Sequence, residues 1–401
     1  MSVRPPWLTR LLDRTADQGG PGTRSLVALA SAITDIKNPK VMTALAPSAV
    51  RGFLLRRGKT QEQARIRSSH AAVLDWSYPR EEPVLARLYT KALKNQWIGD
   101  ELPWATSVDL QSTEVALLPP DFIDTSMLEA EGIRLTKKEE LQFRNDVLAW
   151  LLSQFLHGEQ GALLAATQVT EAVPGHDAKL YGATQIFDEA RHVEVFLRYL
   201  ETKLEKKYEI NDNLFTIIDA LMSDGRWDMK FLGMQIMVEG LALGAFSMLY
   251  KMSEEPLLRQ LLRRVIQDEA RHVHFGVVSL RQHFKEELSE AERIEREDWA
   301  LEVALLMRDR FLAGEVYEEW FEGRLPWTKW REIVERSPGL RTFRQTMFRR
   351  LVPNLREIGL LSPRVRARYD VAGLLGYARG AAADSLDDGA LLNDLAAGPV
   401  T

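Results

Sequence analysis

The 401-residue chain contains no cysteine. This absence excludes disulfide bonds, thiolate nucleophiles, iron–sulfur clusters and zinc sites with cysteine ligands. The net charge is also small, with a formal value of -5 at pH 7. A chain of this length with this charge has no overall electrostatic field that would attract nucleic acid. The first residues lack an apolar run long enough for a signal peptide. We therefore expect a cytoplasmic protein without a nucleic-acid partner.

Long apolar runs are limited to one segment, Phe231–Leu249, which is near the length that crosses a bilayer. Glu239 lies close to its centre, and a charged side chain there would cost about 2.5–3.5 kcal/mol in lipid. We expect this segment to be a helix buried in a large bundle, and we expect no membrane partner.

Strand signals are scarce as well, whereas helical periodicity dominates from about Thr136 onward. Thr136 and Glu139 form a capping-box pattern, and the helix they open is predicted to end at the VPGH sequence, Val173–His176. Three further helices are predicted over Asp177 to about Lys207, Met229 to Met252, and from the SEEP sequence (Ser253–Pro256) to about Glu287.

The chain is predicted to be all-α and to have four parts. Residues 136–290 form a four-helix core built from two helical hairpins. An extension of helices and loops precedes it, C-terminal helices follow it, and the small, acidic end is expected to be a flexible tail. The extension covers residues 1–135, the C-terminal helices cover 291–380, and the tail covers 381–401.

The hexapeptide DEARHV occurs twice, at Asp188–Val193 and at Asp268–Val273, 80 residues apart. At the same offset, QFLHGEQGALLAA, which contains Glu159, resembles QIMVEGLALGAF, which contains Glu239. Because only two copies exist, the pattern indicates one duplicated helical hairpin and not a solenoid.

Each DEARHV copy contains a Glu-x-x-His pair, whose two side chains share one helix face. In an antiparallel hairpin, residues equidistant from the turn lie at the same height, so each pair stands opposite one lone glutamate. Two hairpins packed face to face would therefore gather six candidate metal ligands: Glu159, Glu189, His192, Glu239, Glu269 and His272.

Four buried carboxylates repel one another and lose their hydration, and two divalent cations remove that cost. A ligand set rich in oxygen, with one histidine per metal, favours iron or manganese over zinc. Asp188 and Asp268 precede the paired glutamates and are candidates to accept the second imidazole N–H. Arg191 and Arg271 are expected to neutralise these aspartates across a pseudo-twofold axis.

Glutamate from two helices and Glu-x-x-His from two others is the arrangement of di-iron and di-manganese carboxylate bundles. The pattern resembles the ferritin-like di-iron carboxylate superfamily over roughly residues 136–287. The DEARH motif is most similar to the corresponding sequence in the ribonucleotide reductase small subunit and in the hydroxylases of bacterial multicomponent monooxygenases. The upstream KNQWIGDELPW is similar to a segment of that branch. The resemblance implies a ferritin-like bundle whose six ligands hold two iron ions, or a manganese–iron pair, that activate dioxygen.

Three positions depart from the best-known branches. Phe196 stands where radical-generating subunits carry tyrosine, Leu243 where hydroxylases carry threonine, and Val265 where arylamine N-oxygenases carry an additional histidine. The resemblance therefore implies a di-iron oxygenase, expected to be a monooxygenase, with its own small organic substrate. Hydroxylation, desaturation and amine N-oxygenation stay open, and a radical generator or a ferroxidase is the alternative.

No flavin, nicotinamide or iron–sulfur motif is present, so we expect electrons to come from an external reductase or ferredoxin. The substrate is either free or bound to a carrier protein, and a homodimer is left open. The arginine-rich run from Arg341 to Arg368 is read as a solvated or acid-paired helix face. The alternative is docking of an acidic partner, with three candidate residues: Arg344, Arg349 and Arg350.

Four glycines flank the two lone glutamates: Gly158, Gly161, Gly240 and Gly244. In helices each costs about 1 kcal/mol relative to alanine. They either open space above the metals for dioxygen and substrate or permit close helix packing, and the sequence favours neither reading.

Overall fold

The computed structural model describes residues 6–34, 36–59, 63–80, 82–112 and 117–385. Within these ranges the chain is helical and has no strand, which confirms the predicted all-α class. The described N-terminal part contains α1 (Pro6–Gln18), α2 (Pro21–Thr34), α3 (Pro39–Ala49), α4 (Pro83–Lys94) and α5 (Ser126–Ala130). A π-helical turn, Val50–Leu54, extends α3, and a 3-10 turn, Gly99–Glu101, follows α4.

The first core hairpin consists of α6 (Lys137–Ala172) and α7 (His176–Tyr199). The predicted capping box is present: Thr136 accepts from the backbone of Glu139, whose carboxylate accepts from the backbone of Thr136. The second helix is shorter than predicted. A π turn, Leu200–Leu204, ends it at Glu205, whose left-handed backbone (φ 51°) cannot continue a right-handed helix.

A short helix, α8 (Asp212–Ser223), lies in the crossover to the second hairpin and contacts both α3 and α6. The third core helix is continuous through α9 (Trp227–Phe231), a π-helical segment (Leu232–Val238) and α10 (Glu239–Met252). The fourth core helix, α11 (Pro256–Gln282), continues into a π turn, His283–Glu287.

Packing of the two hairpins forms a four-helix bundle. α6 pairs with α7, α10 pairs with α11, α7 contacts α11, and α9 contacts α6. Glu255 caps the fourth core helix by accepting from the backbone of Leu257 at 2.9 Å and of Leu258 at 2.6 Å. The predicted architecture of two helical hairpins with additional helices on both sides is confirmed.

Further helices cover the bundle: α12 (Glu290–Asp309), α13 (Gly314–Trp320), α14 (Trp327–Arg336), α15 (Pro338–Glu357) and α16 (Pro363–Val371). α15 lies along α10, and α4 contacts both α7 and α11. Short 3-10 turns occupy Arg310–Leu312, Leu375–Arg379 and Ala383–Ser385.

Ala382 and Ala383 are buried, and Asp384 pairs with Arg281. The predicted flexible tail from 381 onward lies mostly outside the described residues, which end at 385.

One helix of the described residues, Trp227–Met252, is long and apolar enough to cross a membrane by length and composition, but 89% of its apolar window is buried inside the protein.

Candidate metal centre

The structure brings all six candidate ligands together in the centre of the bundle. Glu159 comes from α6, Glu189 and His192 from α7, Glu239 from the first position of α10, and Glu269 and His272 from α11. All six residues are buried, and none is more than 4% exposed.

Glu189 and Glu269 each lie between the two imidazoles. The Nδ1 atom of His192 is 3.5 Å from Oε2 of Glu189 and 3.2 Å from Oε1 of Glu269. The Nδ1 atom of His272 is 3.0 Å from Oε1 of Glu189 and 3.7 Å from Oε2 of Glu269. Each carboxylate thus directs one oxygen toward His192 and the other toward His272, and both carboxylates would take part in holding two metal ions.

Glu159 and Glu239 lie at the two sides of this pair. Oε2 of Glu159 is 3.3 Å from Nδ1 of His192, and Oε2 of Glu239 is 4.0 Å from Nδ1 of His272. Two groups of potential donor atoms result, each within 4.8 Å: Glu159, Glu189, His192 and Glu269 form one, and Glu189, Glu239 and His272 form the other. We call them the His192 position and the His272 position.

The donor set fits two divalent cations. Both oxygens of Glu269, Oε2 of Glu189, Oε2 of Glu239 and Nδ1 of His272 are buried without a hydrogen-bond partner, a costly arrangement unless an ion binds them. Burial and the neighbouring carboxylates raise the pKa of Glu159 and of Glu239. The site therefore retains protons unless cations replace them, and both an iron pair and a manganese–iron pair are compatible with these donors.

The imidazoles are held from behind by carboxylates of the opposite hairpin. With Nδ1 facing the cluster, Nε2–H of His192 donates to Asp268 at 3.2 Å, and Nε2–H of His272 donates to Asp188 at 3.3 Å. Burial alone would lower the pKa of both histidines, but the surrounding carboxylates raise it well above the ordinary value. The two contacts are related by the pseudo-twofold axis.

Two buried arginines join the aspartates. Arg191 donates to Asp188 at 2.6 Å and to Asp268 at 2.8 Å. Arg271 donates to Asp188 at 3.2 Å and also to Asp268. The structure therefore places each arginine against both aspartates.

Four residues near the ligands were missed as functional candidates. Gln96 donates to Asp188 at 3.2 Å, and the indole N–H of Trp97 donates to Asp268 at 2.8 Å. The resemblance of KNQWIGDELPW to a family segment was the available signal for these two. Gln185 and Gln235 lie among the ligands themselves, and glutamine carries no metal-ligand pattern that would have marked them.

The glycines beside the lone glutamates have different surroundings. A Cβ atom at Gly244 would lie 2.7 Å from Cα of Met347, and one at Gly161 would lie 2.8 Å from the side chain of Ile218. These two glycines permit close helix packing. Gly240 has only ordinary contacts, and Gly158 has nothing within 4 Å of the Cβ position.

A cavity of about 730 Å³ lies between α1, α2, α3, α8 and α12. Its wall includes Leu45, Phe53 and Leu305 as well as charged groups such as Lys59 and Glu315, but none of the six candidate ligands.

The predicted docking arginines are not equally accessible. Arg350 is only 5% exposed, a placement that argues against contact with a partner. Arg344 is half-buried and donates to the backbone carbonyl of Glu335 at 2.9 Å, and Arg349 is half-buried. Further along the run, Arg364 and Arg368 pair with acidic residues of α12: Glu297, Asp298 and Glu302. These pairs agree with the reading of the run as an acid-paired helix face.

No family model and no curated protein matches the chain. Among solved structures, the chain is similar to variants of an R2-like ligand-binding oxidase with an anaerobically reconstituted Mn/Fe cofactor. One variant superposes with a TM-score of 0.45 at 18% sequence identity, and the match covers 72% of this chain and 95% of the variant's chain. A second variant has a TM-score of 0.43 at 20% identity, and the match covers 68% of this chain and 94% of the variant's chain.

The resemblance to the ferritin-like di-iron carboxylate superfamily is confirmed in the bundle and in its buried glutamate–histidine cluster.

Proposed function

We propose that the protein is a dimetal oxygenase that uses dioxygen to oxidise a small organic substrate by hydroxylation, desaturation or amine N-oxygenation. The observation that supports this most is the pair Glu189 and Glu269, each with one oxygen toward His192 and one toward His272. Two iron ions, or manganese and iron, would supply binding and reduction of dioxygen when bound to the six ligands.

The chain contributes geometry and a dry environment to this chemistry. Asp188 and Asp268 fix the tautomer and ring orientation of the two histidines, so that Nδ1 of each imidazole faces the cluster. The histidine contacts, together with the two arginines, lower the pKa of Asp188 and of Asp268 and keep both aspartates ionised in the interior. Burial of all six ligands excludes bulk water, which strengthens electrostatic interactions and limits side reactions.

Electrons are proposed to come from a separate reductase or ferredoxin, because the sequence contains no motif for a redox cofactor of another kind. The substrate is either a free small molecule or one carried by an acyl or peptidyl carrier protein.

A direct test loads metal-free protein with Fe(II) without oxygen and then adds labelled dioxygen, a chemical reductant and a panel of apolar small molecules. We expect about two ions per chain and labelled oxygen in, or two-electron oxidation of, at least one compound. Glu189→Gln should abolish both results, and Glu286→Gln, at an exposed glutamate, should change neither. Oxygen uptake that is equal in wild type and Glu189→Gln would overturn the proposal.

Radical generation is the second candidate. The phenol of Tyr181 is buried without a hydrogen-bond partner, and burial raises its pKa. Its ring packs on Phe275, with centroids 4.6 Å apart. Electron paramagnetic resonance after reaction of the reduced, metal-loaded protein with dioxygen distinguishes the candidates. A stable organic radical that is lost in Tyr181→Phe favours the radical generator over the oxygenase, and a mineral core favours a ferroxidase.

A further inference from the structure

Gln185 holds two of the candidate ligands from one side of the cluster. Its side-chain amide donates to Oε1 of Glu239 at 3.0 Å and to Oε1 of Glu189 at 3.2 Å. The amide of Gln235 donates in turn to Oε1 of Gln185 at 3.4 Å. The three side chains that accept from these amides are fully or almost fully buried: Gln185, Glu189 and Glu239.

These contacts belong to the His272 position. Oε1 of Glu189 is the oxygen nearest to Nδ1 of His272, at 3.0 Å, and Oε2 of Glu239 is left without a hydrogen-bond partner. Gln185 thus orients two of the three donors of this position and leaves a carboxylate oxygen free for an ion.

The internal repeat shows that the His192 position lacks this support. At the offset of 80 residues, Val265 corresponds to Gln185, and Phe155 corresponds to Gln235. Neither side chain can donate a hydrogen bond. Phe155 instead packs against Phe246, with ring centroids 4.7 Å apart, and against Phe196 at 6.1 Å.

Two backbone features accompany the same difference. Gln235 lies in the π-helical segment Leu232–Val238, whereas the corresponding part of α6 is regular α-helix. Such π segments occur often at functional sites. Gly276 corresponds to Phe196, and a Cβ atom at Gly276 would lie 2.6 Å from Cβ of Gln235. A side chain at position 276 would therefore collide with Gln235, and glycine at this position makes room for it.

We propose that Gln185, supported by Gln235, is a positioning residue that makes the two metal positions unequal: it preorganises the His272 position, which binds the first ion. The His192 position, with apolar side chains in the corresponding places, binds the second ion more weakly. This inference rests on the dimetal site of the proposed function and adds the order in which that site is filled.

The test uses metal-free protein without oxygen and Mn(II) as the probe. In wild type, one equivalent of Mn(II) should occupy the His272 position, as located by anomalous scattering in crystals. A titration followed by electron paramagnetic resonance should show two steps. Loss of an orienting partner of a metal ligand typically costs 10–100-fold in metal affinity. Gln185→Met keeps the size of the side chain but removes the amide, and it should weaken the first step by about 10-fold or more and merge the two steps.

Phe155→Leu is the matched control, because it alters the apolar side without removing a hydrogen bond, and it should leave two steps. If Gln185→Met does not fold, Gln235→Met should give the same change with a smaller amplitude. Equal occupancy of both positions in wild type, or an unchanged titration in Gln185→Met, overturns the inference. Ordered binding of two ions without any dioxygen consumption supports it and overturns the oxygenase proposal alone.

Discussion

The Nε2 atom of His192 lies 3.2 Å from Oδ2 of Asp268, a residue of the other hairpin. The same oxygen accepts from the indole of Trp97 at 2.8 Å and from Arg191 at 2.8 Å. Asp268 therefore accepts from three donors, two on α7 and one in the loop after α4. It orients the ring of a candidate ligand and is itself held in place.

Asp268→Asn should weaken metal binding, because the amide cannot accept from all three donors as a charged carboxylate does. We expect a loss of 10–100-fold in metal affinity, measured by competition with a chelator for Fe(II) or Mn(II) without oxygen. Glu286→Gln, which removes an exposed carboxylate, is the control. Unchanged affinity in Asp268→Asn would show that the histidine does not depend on this contact.

The stability of the metal-free protein should fall as pH rises above about 6.5. Neighbouring carboxylates raise the pKa of His192 and His272 above the ordinary 6.5, so their stabilising contribution is complete below that value and is lost as pH rises toward the folded-state pKa. Glu159 and Glu239 also have raised pKa values, and they likewise hold more protons when folded. Asp268 and Glu189 have lowered pKa values and are ionised in both states in this window.

Thermal unfolding between pH 6.5 and about pH 8 measures this effect. Each additional proton held by the folded state contributes a slope of up to about 1.4 kcal/mol per pH unit. Metal-loaded protein should show a smaller slope, because the ions replace the protons. Parallel curves for the two forms would contradict the assignment of these groups to a metal site.

Two glycine substitutions should change the free energy of unfolding in opposite directions. Gly244→Ala brings a Cβ atom to 2.7 Å from Cα of Met347 and should lower the free energy of unfolding by about 1–3 kcal/mol. Gly158→Ala meets nothing within 4 Å and should raise it by up to about 1 kcal/mol through helix propensity. Urea unfolding of the metal-free variants compares them, and destabilisation by Gly158→Ala would reveal a need for space at that position.

Substitutions of two adjacent arginines of α15, the half-buried Arg349 and the buried Arg350, test the docking prediction. Arg349→Glu should lower turnover with an acidic electron donor and leave turnover with a chemical reductant unchanged. Arg350→Glu should instead unfold or strongly destabilise the protein, by more than about 3 kcal/mol, because that side chain is buried. Equal losses with both reductants in Arg349→Glu would count against docking.

The hairpins and the clustering of the six residues could be predicted from the sequence, because helical spacing determines which side chains share one face of a helix. Thr136, Pro174 and Pro256 marked the helix boundaries with the same local rules. The π-helical segment before Glu239 could not be read, because an inserted residue in a helix has no strong local signal. Gln235 lies in this segment, so its contact with Gln185 could not be predicted from the sequence.

The roles of the glycines depended on neighbours distant in sequence. Gly244 touches Met347, and nothing in the residues around Gly244 indicates which helix will approach it. The large cavity beside α1 and α2 was also beyond prediction, since it is formed by the spacing of several separate helices.

Each imidazole in this protein is supported by an acid from the opposite repeat, so one repeat alone carries only half of a working centre. Two copies of such a unit related by a twofold axis would complete each other as a symmetric pair does. The arrangement of the two repeats in the single chain is thus comparable to that of two subunits in a symmetric dimer.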